Sequence, residues 1–174
     1  IPDFVKSYPR VELEIREMVT ADIVDSLHRD KIDVALVASG TCGTDVSYVL
    51  NSDGVLTVSG SGAMTNYRFA GQVPYYAYLE DIKTVIIEDG VTSVGTYAFR
   101  GCTNLTSLEI KGTLDKISKY AFYGCSSMTE ITSLSTTVPD FADGTSTFTA
   151  SGIKVTVPEG YPIDNFAGLT DLSY

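Results

Sequence analysis

The feature that most constrains this chain is its self-similarity at an offset of 23 residues. At that offset Ile82-Lys-Thr-Val85-Ile-Ile87 falls on Leu105-Thr-Ser-Leu108-Glu-Ile110, and partly on Met128-Thr-Glu-Ile131. Val94 falls on Ile117, Tyr97-Ala98-Phe99 on Tyr120-Ala121-Phe122, and Gly101-Cys102 on Gly124-Cys125. A fixed period of this size specifies a stacked array, because each unit is too small to bury a core and must borrow one from its neighbours. Apolar residues at i, i+3 and i+5 predict a bend followed by a short strand. Strands from successive coils should pair in parallel about 4.8 Å apart. The Tyr-Ala-Phe-x-Gly-Cys run predicts the return limb: the Phe fills the coil, the Ala permits close approach, and the Gly lets the backbone turn.

An array has open ends, and the sequence supplies candidates for both. Val46 to Leu50 and Val55 to Ser59 flank Asn51-Ser-Asp53-Gly54, whose turn chemistry predicts a hairpin over the first coil. Val155 and Val157 predict a last strand, stopped by Pro158-Glu-Gly160 and Pro162, with the tail from Ile163 to Tyr174 folding over the edge. The coil from Ser133 to Gly152 is irregular.

These residues resemble the BspA-like leucine-rich repeats over about residues 40–174. The resemblance is carried by Gly40-Thr-Cys42-Gly43, DGVLTVSGSGAM from Asp53 to Met64, IKTVIIEDGVTSVGTYAFRGCTNLTSLEI from Ile82, ISKYAFYGCSSMTEI from Ile117, and IKVTVPEG from Ile153. It implies a short solenoid with a parallel sheet, and a noncatalytic module of the cell surface or a secreted protein that contacts an extracellular protein or glycan in adhesion. Where that family often has a Trp before the first full coil, this chain has Pro74-Tyr75-Tyr76.

Residues 1–39 are different. All 15 glycines lie at or after Gly40, which marks an expected boundary near Ser39 and Gly40. Val11, Leu13 and Ile15 alternate with polar residues and predict a strand. Thr20 is a candidate N-cap for a short helix through about Asp30, and Ile32 to Ala38 reads as a strand covered on both faces, as in parallel sheets. FVKSYPRVELEIREM from Phe4 and VTADIVDSLHRDKIDVALVAS, ending at Ser39, resemble part of the effector-binding domain of LysR-type transcription regulators. That resemblance implies an alternative, a regulator fragment fused to a repeat domain, and carries over no ligand or DNA residue. The expected fold class is mixed α/β but mostly β, a short repeat solenoid with a hairpin cap and a strand-helix-strand segment in front.

Chemistry is sparse. With 12 Lys and Arg and a net charge of −10, a phosphate-binding face is disfavoured, and with it nucleic acid as a partner. The longest apolar run, Val34 to Ala38, is far below the roughly 18 residues of a spanning helix, and no basic-then-apolar leader opens the chain. The lone His28 lies on the polar side of a short helix without a nucleophile motif, so no enzyme activity is expected. Cys102 and Cys125 occupy equivalent positions and read as core thiols, with a disulfide as the other reading. No zinc pattern appears and no cofactor is expected. Gly60-Ser-Gly62 lacks the Lys of a phosphate loop and reads as a tight turn. Asn51-Ser-Asp53-Gly54 lacks the closing acid of a calcium loop. Asn104-Leu105-Thr106 is a glycosylation sequon whose middle residue reads as core. The binding candidates are tyrosines: the periodic Tyr97 and Tyr120 are expected to pack between coils, whereas Tyr75, Tyr76 and Tyr78, outside the period, are expected to form a contact surface.

Overall fold

A computed structural model describes residues 36–141, 147–162, 166 and 168–173. The strand and helix expected before residue 36, and His28 with them, lie outside the described residues. So does most of the expected Ile32 to Ala38 strand. Leu36–Tyr174 makes one compact unit.

The hairpin forms as its turn chemistry requires. β1 (Leu36–Thr41), β2 (Val46–Asn51) and β3 (Val55–Gly60) are a three-stranded antiparallel meander. Between β2 and β3 the Asn51 Oδ1 accepts from the backbone N–H of Asp53 and Val55 at 3.0 and 2.9 Å, the side-chain mimic of a turn that Asn favours. β2 buries Val46, Tyr48 and Leu50 and exposes the residues between them. β1 departs from expectation. Leu36 and Val37, expected to be covered on both faces, are 48% and 38% exposed, and the pairing is antiparallel. Among the described strands β1 lies outermost in its sheet, so the apolar run meets no second layer. It starts ahead of the compositional break at Gly40.

β3 joins the cap to the array, pairing antiparallel with β2 on one edge and parallel with β5 (Thr84–Ile87) on the other. Beyond it β7 (Ser107–Ile110), β9 (Glu130–Ser133) and β11 (Lys154–Thr156) add in parallel, and β12 (Leu172–Ser173) closes the sheet from the tail. The register sets Leu56, Val85, Leu108, Ile131 and Val155 in one row, and every member is fully buried. A second parallel sheet lines another side of the coils through β4 (Gly62–Ala63), β6 (Val91–Val94), β8 (Lys116–Ile117) and β10 (Asp140–Phe141).

The return limbs close the core. Phe99 and Phe122, both fully buried, stack at 5.0 Å between ring centroids, and Phe148 continues the column at 5.3 Å from Phe122. The irregular last coil therefore rejoins the register at Phe148, which bridges to Phe122 in parallel. Each stacked pair adds about 0.5–1.5 kcal/mol beyond its buried area. Gly95 ends β6 where a Cβ would lie 1.9 Å from the Thr65 carbonyl oxygen, and Gly101 and Gly124 each turn the chain at φ 83°. The fold is a short leucine-rich-repeat solenoid, mostly β, with a parallel sheet and an antiparallel cap.

Candidate binding surface on the return limbs

Each return limb reverses direction through two left-handed residues, Tyr97 and Gly101 in one coil and Tyr120 and Gly124 in the next. Tyr97 and Tyr120 have φ of 61° and 59°, the only positive values outside glycine among the described residues, at a cost of about 1–2 kcal/mol each. The turn sends Ala98 and Phe99, and Ala121 and Phe122, into the core and leaves the tyrosine rings half-buried. As expected for periodic residues, the two rings stack on each other, at 5.4 Å. They also gain company on the outside. Tyr123, 40% exposed, meets Tyr120 edge-on at 5.6 Å.

Arg100 stands one coil before Tyr123 at the equivalent position, so stacking brings cation and ring together. Its guanidinium carbon is 5.2 Å from the Tyr97 ring centroid, 5.8 Å from that of Tyr120 and 5.0 Å from that of Tyr123. Lys119 Nζ lies 5.1 Å from the Tyr120 centroid. Contacts of this kind at exposed sites contribute about 0.5–1 kcal/mol each. Among the described residues no carboxylate or carbonyl oxygen accepts from the Arg100 guanidinium, whereas Lys111 pairs with Glu109 and Lys116 with Asp140.

Beside this cluster runs an open groove of about 580 Å³, lined by Tyr76, Ala77, Leu79, Glu80, Asp81 and Arg100 among others. Its other wall comes from two short 3-10 turns, Ala70–Gln72 and Tyr76–Tyr78, between β4 and β5.

The three tyrosines expected at a contact surface have three different fates. Tyr76 is 57% exposed and lines the groove. Tyr78 is half-buried and packs against the core. Tyr75 is a correction: it is fully buried, its hydroxyl donates to the Ala98 carbonyl at 3.0 Å, and its ring stacks 5.9 Å from Phe99 and meets Tyr48 edge-on at 5.0 Å. Burial pushes its phenol well above the usual range. It belongs to the periodic scheme after all, as the first ring of the Phe column. Sequence reasoning missed Arg100 as a surface element, although the 23-residue offset that superposes it on Tyr123 was the available signal.

The remaining candidates are structural. Cys42, Cys102 and Cys125 are free and buried. The Cys102 thiol is pushed well up by its hydrogen bond with Cys125 and by burial, and burial alone lifts Cys42 to about 12, so neither is a nucleophile near neutral pH. Cys125 Sγ donates to the Phe99 carbonyl at 3.2 Å. In the sequon, Leu105 is core and the Asn104 Nδ2 donates to the Glu80 carbonyl at 2.8 Å. Gly60 makes a close approach, where a Cβ would sit 2.0 Å from the Asp45 carbonyl oxygen. Among the described residues no three His, Cys, Asp or Glu side chains come together as metal ligands, and no helix is long and apolar enough to cross a membrane.

Comparison with known proteins agrees with this architecture. The family model of the BspA type leucine rich repeat region matches residues 73–160 in six copies, just over half of the chain. The chain therefore belongs to the BspA type leucine-rich repeat family, and by that membership it is a repeat protein of the binding-module kind. Among solved structures, a leucine-rich repeat protein from Eubacterium ventriosum is 22% identical, with 71% of this chain and 45% of that chain covered and a TM-score of 0.44. The chain thus spans less than half the length of that protein. No curated protein matches the chain. The LysR-type likeness of residues 1–39 gains no support, since the family match starts at residue 73.

Proposed function

We propose that this chain is a noncatalytic binding module of a cell-surface or secreted protein, and that it contacts an extracellular protein or glycan through its return-limb surface. In this reading the repeat domain, residues 40–174, does the binding. Family membership supports the module; the observation that carries the surface is Arg100, held against three tyrosine rings with no internal acceptor for its donors among the described residues. Tyrosine and arginine supply most of the energy at recognition surfaces, because both offer large contact area with directional hydrogen bonds. The test is a pull-down against matrix proteins and a panel of glycans, comparing the native chain with an Arg100→Gln, Tyr76→Ala, Tyr123→Ala variant. Retention should fall about tenfold or more in the variant. Equal retention by both proteins removes this surface from the function.

A further inference from the structure

Two observations separate the Arg100 cluster from the rest of the return face. Glycine or asparagine would serve the left-handed turn at residues 97 and 120 with less strain, yet both positions hold Tyr and the two rings stack on each other. The guanidinium carbon lies 5.0 to 5.8 Å from three ring centroids, while its N–H groups have no acceptor among the described residues. A guanidinium with its donors unused can take one carboxylate through two parallel hydrogen bonds.

The groove narrows the choice of ligand. Ala77, Leu79 and the exposed Tyr76 offer an apolar seat beside the guanidinium. Glu80 and Asp81 line the same groove and repel any negative charge there. A ligand carboxylate therefore fits only where it sits directly on Arg100, and a second one meets no other cation among the described residues lining the groove. At longer range the net charge of −10 works against any polyanion. A uronic or sulfated saccharide brings repeated charge and no apolar side chain, so the groove fits it poorly.

Building on the binding reading above, we infer that the Arg100 groove takes a protein segment in which a single Asp or Glu stands next to an apolar residue, with neutral or basic neighbours. The carboxylate docks on Arg100. The apolar side chain lies on Ala77 and Leu79.

Fluorescence anisotropy with the full chain tests this, using short synthetic peptides with one Glu beside Leu, the same peptides with Gln for Glu, peptides with a run of Glu, and oligogalacturonate. The single-Glu peptide should bind about tenfold more tightly than its Gln counterpart, and the run of Glu should bind more weakly than the single Glu. Arg100→Gln should abolish the preference for Glu over Gln while the protein stays folded, with its thermal transition lowered only by the lost ring contacts. Glu80→Gln with Asp81→Asn should strengthen binding of the Glu run, a gain that loss of folding does not imitate. Equal binding of Glu and Gln peptides overturns the inference, and so does a Glu run that binds as tightly as the single Glu. Binding of oligogalacturonate without any peptide overturns it while leaving the binding module standing. If no peptide, saccharide or matrix protein binds, both readings fall.

Discussion

Single residues in this protein act mostly through where the coil puts them. Gly95 has no room for a methyl group, since the Cβ would meet the Thr65 carbonyl at 1.9 Å and a backbone atom cannot swing aside. Gly95→Ala should lower stability by about 2 kcal/mol or more in urea denaturation. Tyr76→Ala and Tyr75→Ala should differ sharply. The first removes an exposed ring and should change stability by less than about 0.5 kcal/mol, whereas the second empties the head of the aromatic column and should cost about 3–5 kcal/mol. Tyr97→Asn sets relief of about 1 kcal/mol of backbone strain against the loss of stacking and cation contacts of similar size. Its stability should move by less than about 1 kcal/mol while binding weakens. The sequence hid Tyr75 for a definite reason: it precedes Phe99 by 24 residues, whereas Phe99 precedes Phe122 by 23, and a rigid offset skips it. The left-handed tyrosines were equally hidden, because nothing in residue type alone announces a positive φ at Tyr.

At the scale of elements, strict alternation is what made the main sheet legible. β5 and β7 bury every second residue, and the 23-residue offset fixes which ones align. Leu108→Ala should therefore cost about 2–5 kcal/mol, while Glu109→Ala on the outward face should stay within about 0.5 kcal/mol of the native chain; similar losses at both sites in denaturant unfolding would mean that the alternation does not define the core. The β2–β3 hairpin could be read from Asn51-Ser-Asp53-Gly54 because local hydrogen bonds decide that turn. β1 could not be read correctly: an apolar, β-branched run looks the same whether it lies between layers or at an edge. The strands of the second sheet β8 and β10 have only two residues each, too few to carry a period. The 3-10 turns that wall the groove leave no periodic trace either.

For the whole molecule, the core is a continuous column, and its ionisable groups share one sign of response to pH. Burial raises the Cys42 thiol from 9.0 to about 12, and raises the phenol of Tyr67 from 10.0 to about 12; Tyr75 and Cys102 are pushed well up, and Tyr48 and Tyr161 move the same way. Each group binds its proton more tightly folded than unfolded. Its contribution is therefore fully present below the unfolded value and declines as pH climbs through the folded one. The urea midpoint should be level up to about pH 9 and fall steadily toward pH 12, read by circular dichroism; a midpoint that rises in that window would contradict the buried placement of these groups. What the sequence yielded at this scale was the solenoid and its caps, because repetition is written in the chain. The candidate surface was only partly legible, since Arg100, Tyr97, Tyr120 and Tyr123 come together through coil stacking rather than through any local motif.

In the proposed mode of binding the return limbs, and not the outward face of the long sheet, meet the ligand. Amide shift mapping by NMR during titration with the single-Glu peptide distinguishes the two faces. Changes should concentrate at residues 76–81, 97–101 and 120–124. Changes centred instead on the outward sheet row of Thr84, Ser107, Glu130 and Lys154 would contradict it.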